Sequence, residues 1–222
     1  MHEDLSRPDI QQLADLGLTF DATWKILDHF ERSVASFFGA PWAVATDSCT
    51  HALELSLRVL QHRAPLIVPR HTYMSVPMML DKLSITYRLD TIKWRDNYDL
   101  VPNRVVDAAT SWEAGSYRPG TLTCISFQFK KHLPIGRGGM ILLDDESLYQ
   151  RLQRMTRDGR NPRVTQWEDD VQELGYHYHM TPEDAARGIR LFQALRYRAP
   201  DIWDWTRYLD LGQMSYFRSR TC

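Results

Sequence analysis

Apolar positions recur at helical spacing at Trp24, Leu27, Phe30, Val34 and Phe37, in a run bounded by Asp21 and Gly39. Residues three and four apart share one face of an α-helix, so the pattern predicts an amphipathic helix capped by Asp21 and stopped by Gly39. The next apolar run, Trp42-Ala43-Val44-Ala45-Thr46, predicts a strand. Asp47-Ser48-Cys49-Thr50 then reads as a loop capping a second helix that continues to about Leu60. Short runs rich in β-branched and apolar residues at 66–69, 85–89, 104–107, 122–127 and 139–143 predict further strands, and a helix is expected over 146–157. Short strands alternating with helices imply an α/β fold, with a mostly parallel sheet flanked by helices on both faces.

The remainder of the chain reads differently. Thr181-Pro182-Glu183-Asp184 is a helix start, with Thr at the N-cap and Pro at the first helical position. That helix turns Ala185, Ala186, Ile189, Phe192 and Leu195 inward and breaks at Pro200. Beyond it, Trp203, Trp205, Tyr208, Tyr216 and Phe217 form an aromatic segment that can fold back on its own domain or pack on a partner subunit. We therefore divide the chain into a domain at 1–198 and an aromatic C-terminal arm at 199–222.

Composition narrows the function classes. The 222 residues, 43% of them hydrophobic, can bury a sizeable core. A net charge of -1 offers no field for phosphate backbones or acidic membranes, so neither nucleic acid nor membrane is an expected partner. No apolar run approaches the roughly 18–20 residues of a membrane span. The start, Met1-His2-Glu3-Asp4, lacks an apolar signal core, which points to a cytoplasmic protein. Three scattered cysteines make neither a disulfide framework nor a zinc cluster. His177 and His179 face one side of an extended stretch but have no third ligand nearby, so no metal is expected.

The chemistry gathers in three places. Lys130 and Lys131 follow the strand at 122–127 and precede the turn Gly136-Arg137-Gly138-Gly139. Ligand sites of open α/β sheets lie beyond the carboxyl ends of strands. A lysine there, beside a second cation and partly desolvated, becomes a usable nucleophile; the same pair also reads as solvated loop surface. Val105-Val106-Asp107 ends a buried type of strand in a carboxylate, which is costly without a cationic partner. The protonated ring nitrogen of pyridoxal phosphate is one such partner; a strand-end turn is the plainer alternative. Asp47-Ser48-Cys49-Thr50 offers free backbone N–H groups and two hydroxyls to a phosphate, although Ser and Thr caps are common.

Taken in order, these blocks resemble the DegT/DnrJ/StrS family of sugar aminotransferases, within the fold type I pyridoxal phosphate enzymes. Thr46-Asp47-Ser48-Cys49-Thr50-His51-Ala52-Leu53 is similar to the family's phosphate loop, and Ile67-Val68-Pro69-Arg70-His71-Thr72-Tyr73 to the strand that carries a ring-stacking aromatic. Val106-Asp107-Ala108-Ala109 looks like its Glu-Asp-Ala-Ala run. Ser126-Phe127 followed by Lys131 and Gly136-x-Gly138-Gly139 resembles its lysine signature. Gly175-Tyr176-His177-Tyr178-His179-Met180-Thr181 resembles Gly-Tyr-Asn-Tyr-Arg-Met-Thr.

The resemblance implies roles for individual residues. Ser48, Cys49, Thr50 and Ser126 contact the cofactor phosphate, Tyr73 stacks on its ring, Asp107 meets the ring nitrogen and Lys131 holds the cofactor covalently. His177 reaches the phosphate of the neighbouring subunit, which implies a homodimer with shared sites. The implied cofactor is pyridoxal 5'-phosphate. The implied substrates are a nucleotide-linked keto sugar and an amino acid donor. Related sugar dehydratases carry His where Lys131 stands. Asp47 replaces the family's Asn, so its carboxylate must turn away from a phosphate. Between Tyr73 and Asp107 the chain is shorter than the family, which removes a strand and a helix, and the small C-terminal domain is largely missing. A binding-only relative is therefore the alternative to an enzyme.

Overall fold

The computed structural model describes residues 5–218. Helix α1 (Pro8–Gln11) precedes the amphipathic helix α2 (Thr23–Phe38). Ala22 rather than Asp21 stands at the N-cap of α2, and Gly39 closes it in the left-handed region at φ 78°. Leu27, Phe30 and Val34 are buried as the spacing requires, with Ile26 and Phe38 beside them, while Trp24 and Phe37 lie at the edge.

Strand β1 (Trp42–Thr46) leads into α3 (Cys49–Val59); β2 (Leu66–Pro69), α4 (Ser75–Lys82) and β3 (Tyr87–Asp90) follow. The short strands β4 (Tyr98–Asp99) and β5 (Val105–Asp107) come next, then β6 (Leu122–Ser126), β7 (Gly139–Leu143), α5 (Glu146–Met155) and α6 (Pro182–Leu195). The strand expected at 85–89 begins two residues later and ends one later, and α4 and β4 carry no clear periodic signal in the sequence.

The main sheet has the order β1-β7-β6-β5-β4, and β2 and β3 form a parallel pair joined to it by a bridge between Ile67 and Val101. The α/β class holds, but the sheet is mixed rather than mostly parallel. β7 runs antiparallel between β1 and β6, and β4 runs antiparallel to β5, leaving β5–β6 as the parallel pair of the main sheet. The run Gly-Met-Ile-Leu-Leu of β7 is buried at every position. A strand buried on both faces reads as a continuous apolar run whatever its direction.

Alternate strand residues enter two cores. Val44, Val105, Cys124 and Ile141 pack with α3, α4 and α5, whereas Ala43, Ala45, Val106, Ile125 and Met140 pack with α2 and α6. This period-two division is what holds helices on both faces of the sheet.

One buried carboxyl ties α2 to the sheet. Glu31 Oε1 accepts from the Ala45 N–H at 2.7 Å. Burial raises its pKa from 4.5 to about 7, opposed by the Arg157 guanidinium and by the Ala45 N–H. The folded carboxyl thus keeps a proton that the unfolded one releases, and stability falls as pH rises from 4.5 to about 7. Glu31→Gln keeps an acceptor without that ionisation. Its unfolding free energy, followed by urea titration at several pH values, will gain up to about 3 kcal/mol on wild type across the window.

Candidate active site

β1, β5 and β6 point the same way, and their carboxyl ends deliver Thr46, Asp107 and Ser126 to one edge of the sheet. Beyond that edge lies a cavity of about 760 Å³. Ser48, Cys49, Thr50, Tyr73, Asp107, Ser126 and Lys131 all line it. His177 does not. It lies outside the cavity with its side chain 77% exposed, and its Nδ1 is 2.9 Å from Asp158 Oδ2.

The floor for an anion is the N-terminus of α3. Ser48 caps the helix, its Oγ accepting from the His51 N–H at 3.2 Å, so the N–H groups of the first turn are directed beyond the helix end. Thr50 Oγ1 is 2.8 Å from Ser75 Oγ, which adds a second hydroxyl at the rim. Asp47 is turned aside as the chemistry demands: Arg137 Nη2 donates to its Oδ2 at 2.8 Å, and His51 Nδ1 is 2.6 Å from its Oδ1. Gly139 of β7 passes so close that a Cβ there would lie 2.4 Å from the Cys49 backbone nitrogen. Only glycine allows that approach, and it fixes the loop against β7.

Two adjacent lysines are separated by burial. Lys130 is exposed, whereas Lys131 is half-buried with its Nζ 4.8 Å from the centre of the Trp203 ring. Desolvation lowers the Lys131 pKa, opposed chiefly by the Asp107 charge. More of the amine is therefore unprotonated near neutrality, as a nucleophile requires.

Asp107 lies across the cavity, 6% exposed. Its Oδ1 accepts from the Ala109 N–H at 3.0 Å and its Oδ2 from the Tyr98 hydroxyl at 2.7 Å. Burial raises its pKa, opposed by the Tyr98 and Ala109 hydrogen bonds and by Lys131. Burial likewise pushes the Cys49 thiol well above its usual value, with the Asp107 charge adding to the effect. Cys49 is therefore a neutral wall residue, its thiol turned to the Cys124 carbonyl at 3.7 Å. Tyr73 is 60% exposed and presents a ring to the opening.

Sequence reasoning missed the far wall. Trp94 and Tyr98 come from the segment before β5, and Trp203, Arg207 and Tyr208 from the aromatic tail. The tail lies across this same domain. Arg70 grips Asp210 through two hydrogen bonds of 3.0 and 2.9 Å, His71 Nδ1 meets the Tyr208 carbonyl at 2.9 Å, and the Asp96 N–H donates to the Trp203 carbonyl at 2.8 Å. Leu211 and Phe217 complete the anchoring in the core, each 1% exposed. Alternating aromatics and turns carry no period, so composition alone did not show where this segment docks.

The fold is one that solved sugar aminotransferases share. It superposes on AtS13 from Actinomadura melliaura with a TM-score of 0.70 at 19% identity, covering 87% of this chain and 65% of that one. The sugar aminotransferase CalS13 from Micromonospora echinospora gives 0.64 at 18% identity, covering 87% and 66%. The chain belongs to the DegT/DnrJ/EryC1/StrS aminotransferase family, whose model matches residues 11–86 and 109–199. Among curated relatives it is 26% identical to GDP-perosamine synthase of Caulobacter vibrioides, over 76% of this chain and 58% of that protein. It is 23% identical to the spore coat polysaccharide biosynthesis protein SpsC of Bacillus subtilis, over 86% and 62%. The chain thus spans about 60% of the length of these relatives. The internal unmatched stretch, 87–108, holds Tyr98 and Asp107.

Proposed function

We propose that this protein is a pyridoxal phosphate-dependent aminotransferase that moves an amino group from an amino acid to a nucleotide-linked keto sugar. The observation that carries the proposal is convergence: a half-buried lysine, a buried carboxylate and a helix N-terminus flanked by hydroxyls meet in one cavity. These groups come from residues 48 to 131, so no local pattern of sequence forces them together. They fit the cofactor group by group. The α3 N-terminus with Ser48, Cys49, Thr50 and Ser126 suits its phosphate, Asp107 its ring nitrogen, Tyr73 its ring face and Lys131 its aldehyde.

Bound pyridoxal phosphate supplies an electron sink for the charge released when a proton leaves the carbon bearing nitrogen. The protein's part is binding and proton handling. Lys131 would hold the cofactor and serve as the general base, then acid, that carries a proton between positions. Asp107, a buried carboxylate, would keep a positive charge on the ring nitrogen favourable. The aromatic wall of Trp94, Trp203 and Tyr208 limits water near the reacting atoms. We also read exposed His177 as a residue that meets a second copy of the chain, in a homodimer with shared sites.

The test is chemical. Protein incubated with pyridoxal phosphate will develop a visible absorption band, and borohydride will make the label permanent on the peptide containing Lys131. Labelling of Lys130 instead, or none, would sink the reading. Adding glutamate to the loaded protein separates an enzyme from a protein that only binds the cofactor, because only turnover shifts the absorbance.

A further inference from the structure

Asp107 is not left to the cofactor alone. Tyr98 and Asp107 are direct partners across the β4–β5 pair, which sets the phenol opposite the carboxylate. The Tyr98 hydroxyl donates to Asp107 Oδ2 at 2.7 Å, and Thr72 Oγ1 lies 2.5 Å from that hydroxyl. All three side chains are buried, and the Trp94 ring packs on Tyr98 at 5.4 Å between centres. Since the phenol proton goes to Asp107, the Thr72 hydroxyl donates to the phenol oxygen, giving a relay Thr72→Tyr98→Asp107.

We infer that Tyr98 is a positioning residue that holds the Asp107 carboxylate ionised and oriented toward the cofactor's ring nitrogen. The inference rests on the role proposed for Asp107 above. The physical need is plain: a buried carboxylate reverts to its neutral form unless donors stabilise the charge, and a neutral acid gives the ring nitrogen no counter-charge. Ala109 supplies one donor and Tyr98 the other. Burial and the Asp107 charge push the Tyr98 phenol well up, so it stays a donor at every working pH. The other titratable groups facing Asp107 are Lys131, Cys49, Cys124 and Tyr208; of these Lys131 alone brings a positive charge.

Pyridoxal phosphate affinity, measured against pH by fluorescence titration, reads this directly. Removing the phenol proton raises the Asp107 pKa in the free protein, so affinity begins to fall at higher pH on acidification. In Tyr98→Phe the acid limb will move up by about one pH unit. In an Asp107→Asn background the same substitution will move nothing, whereas a packing defect would persist there. An unmoved limb in Tyr98→Phe, or an equal shift in both backgrounds, overturns the inference. If Tyr98→Phe does not fold, Thr72→Val decides: a smaller upward shift supports the relay and none refutes it. Wild-type protein that takes no label at Lys131 refutes the cofactor reading and this inference with it. A labelled wild type with an unmoved limb refutes the inference alone.

Discussion

In Lys131→Met, amino transfer from glutamate will fall by at least about 10²–10⁴-fold, the usual contribution of a positioned acid–base group. Methionine keeps an unbranched apolar stem and removes the ammonium, so the stem's packing is kept while the contact with Trp203 and the charge facing Asp107 are lost. Single-turnover absorbance changes of the loaded protein, with far-UV circular dichroism as the folding check, make the comparison. Lys130→Met should stay near wild type, because its side chain is solvated beside Phe129. A loss confined to Lys130→Met would show that the register of the two lysines is reversed.

Asp107→Asn has opposite effects on rate and on stability. Asparagine fills the same space but has one acceptor oxygen where the carboxylate uses two, so it keeps the hydrogen bond from Ala109 or from Tyr98 and not both, and it offers no counter-charge to a protonated ring. Hydrogen bonds to charged groups contribute about 1.5–3 kcal/mol, so the single-turnover rate will drop by roughly 10- to 150-fold. Stability moves the other way. The folded carboxyl is held above its unfolded value of 3.8, so wild-type stability falls as pH rises from 3.8 through the raised folded value. The variant lacks that loss, and its thermal midpoint relative to wild type should climb from pH 3.5 to pH 7. A midpoint difference flat across that range would mean that Asp107 carries no burial penalty, and its assigned role would lose its physical basis. Activity and stability opposed at one residue is the pattern expected where a fold keeps a strained charge for function.

The lysine, the aspartate and the phosphate loop were legible because each is a local word: a strand end followed by a turn, or a cap followed by a helix. Their meeting place follows from the α/β class, since sheets of this kind gather strand ends at one edge. The tilt of the balance between Lys130 and Lys131 came from resemblance, and burial now separates them on physical grounds. Tyr98 was not legible. Two residues of strand make no periodicity, and its importance depends on pairing with Asp107 nine positions away. The wall formed by Trp203, Arg207 and Tyr208 escaped for a related reason. It is docked by the Arg70–Asp210 pair across 140 positions, and a long-range ion pair leaves no trace in either local sequence. The direction of β7 was hidden by complete burial, which erases the alternation that would mark an antiparallel strand.

That antiparallel strand also sets a clock. Within the described residues β1 joins the main sheet through its ladder with β7, and Gly139 of β7 is what seats the loop at Ser48 and Cys49. Some ninety residues separate Cys49 from Gly139 along the chain. A ribosome adds about 5–20 residues per second, so the loop waits roughly 5–20 s for its seat. During that interval the strand Trp42–Thr46 can pack on α2 and α3 but has no β7 to pair with, and a nascent chain is open to wrong pairings of its edges. The lysine is made before the seat for the phosphate is closed. The loop proposed to hold the phosphate is therefore seated only after β7 has been made, later than Lys131 itself.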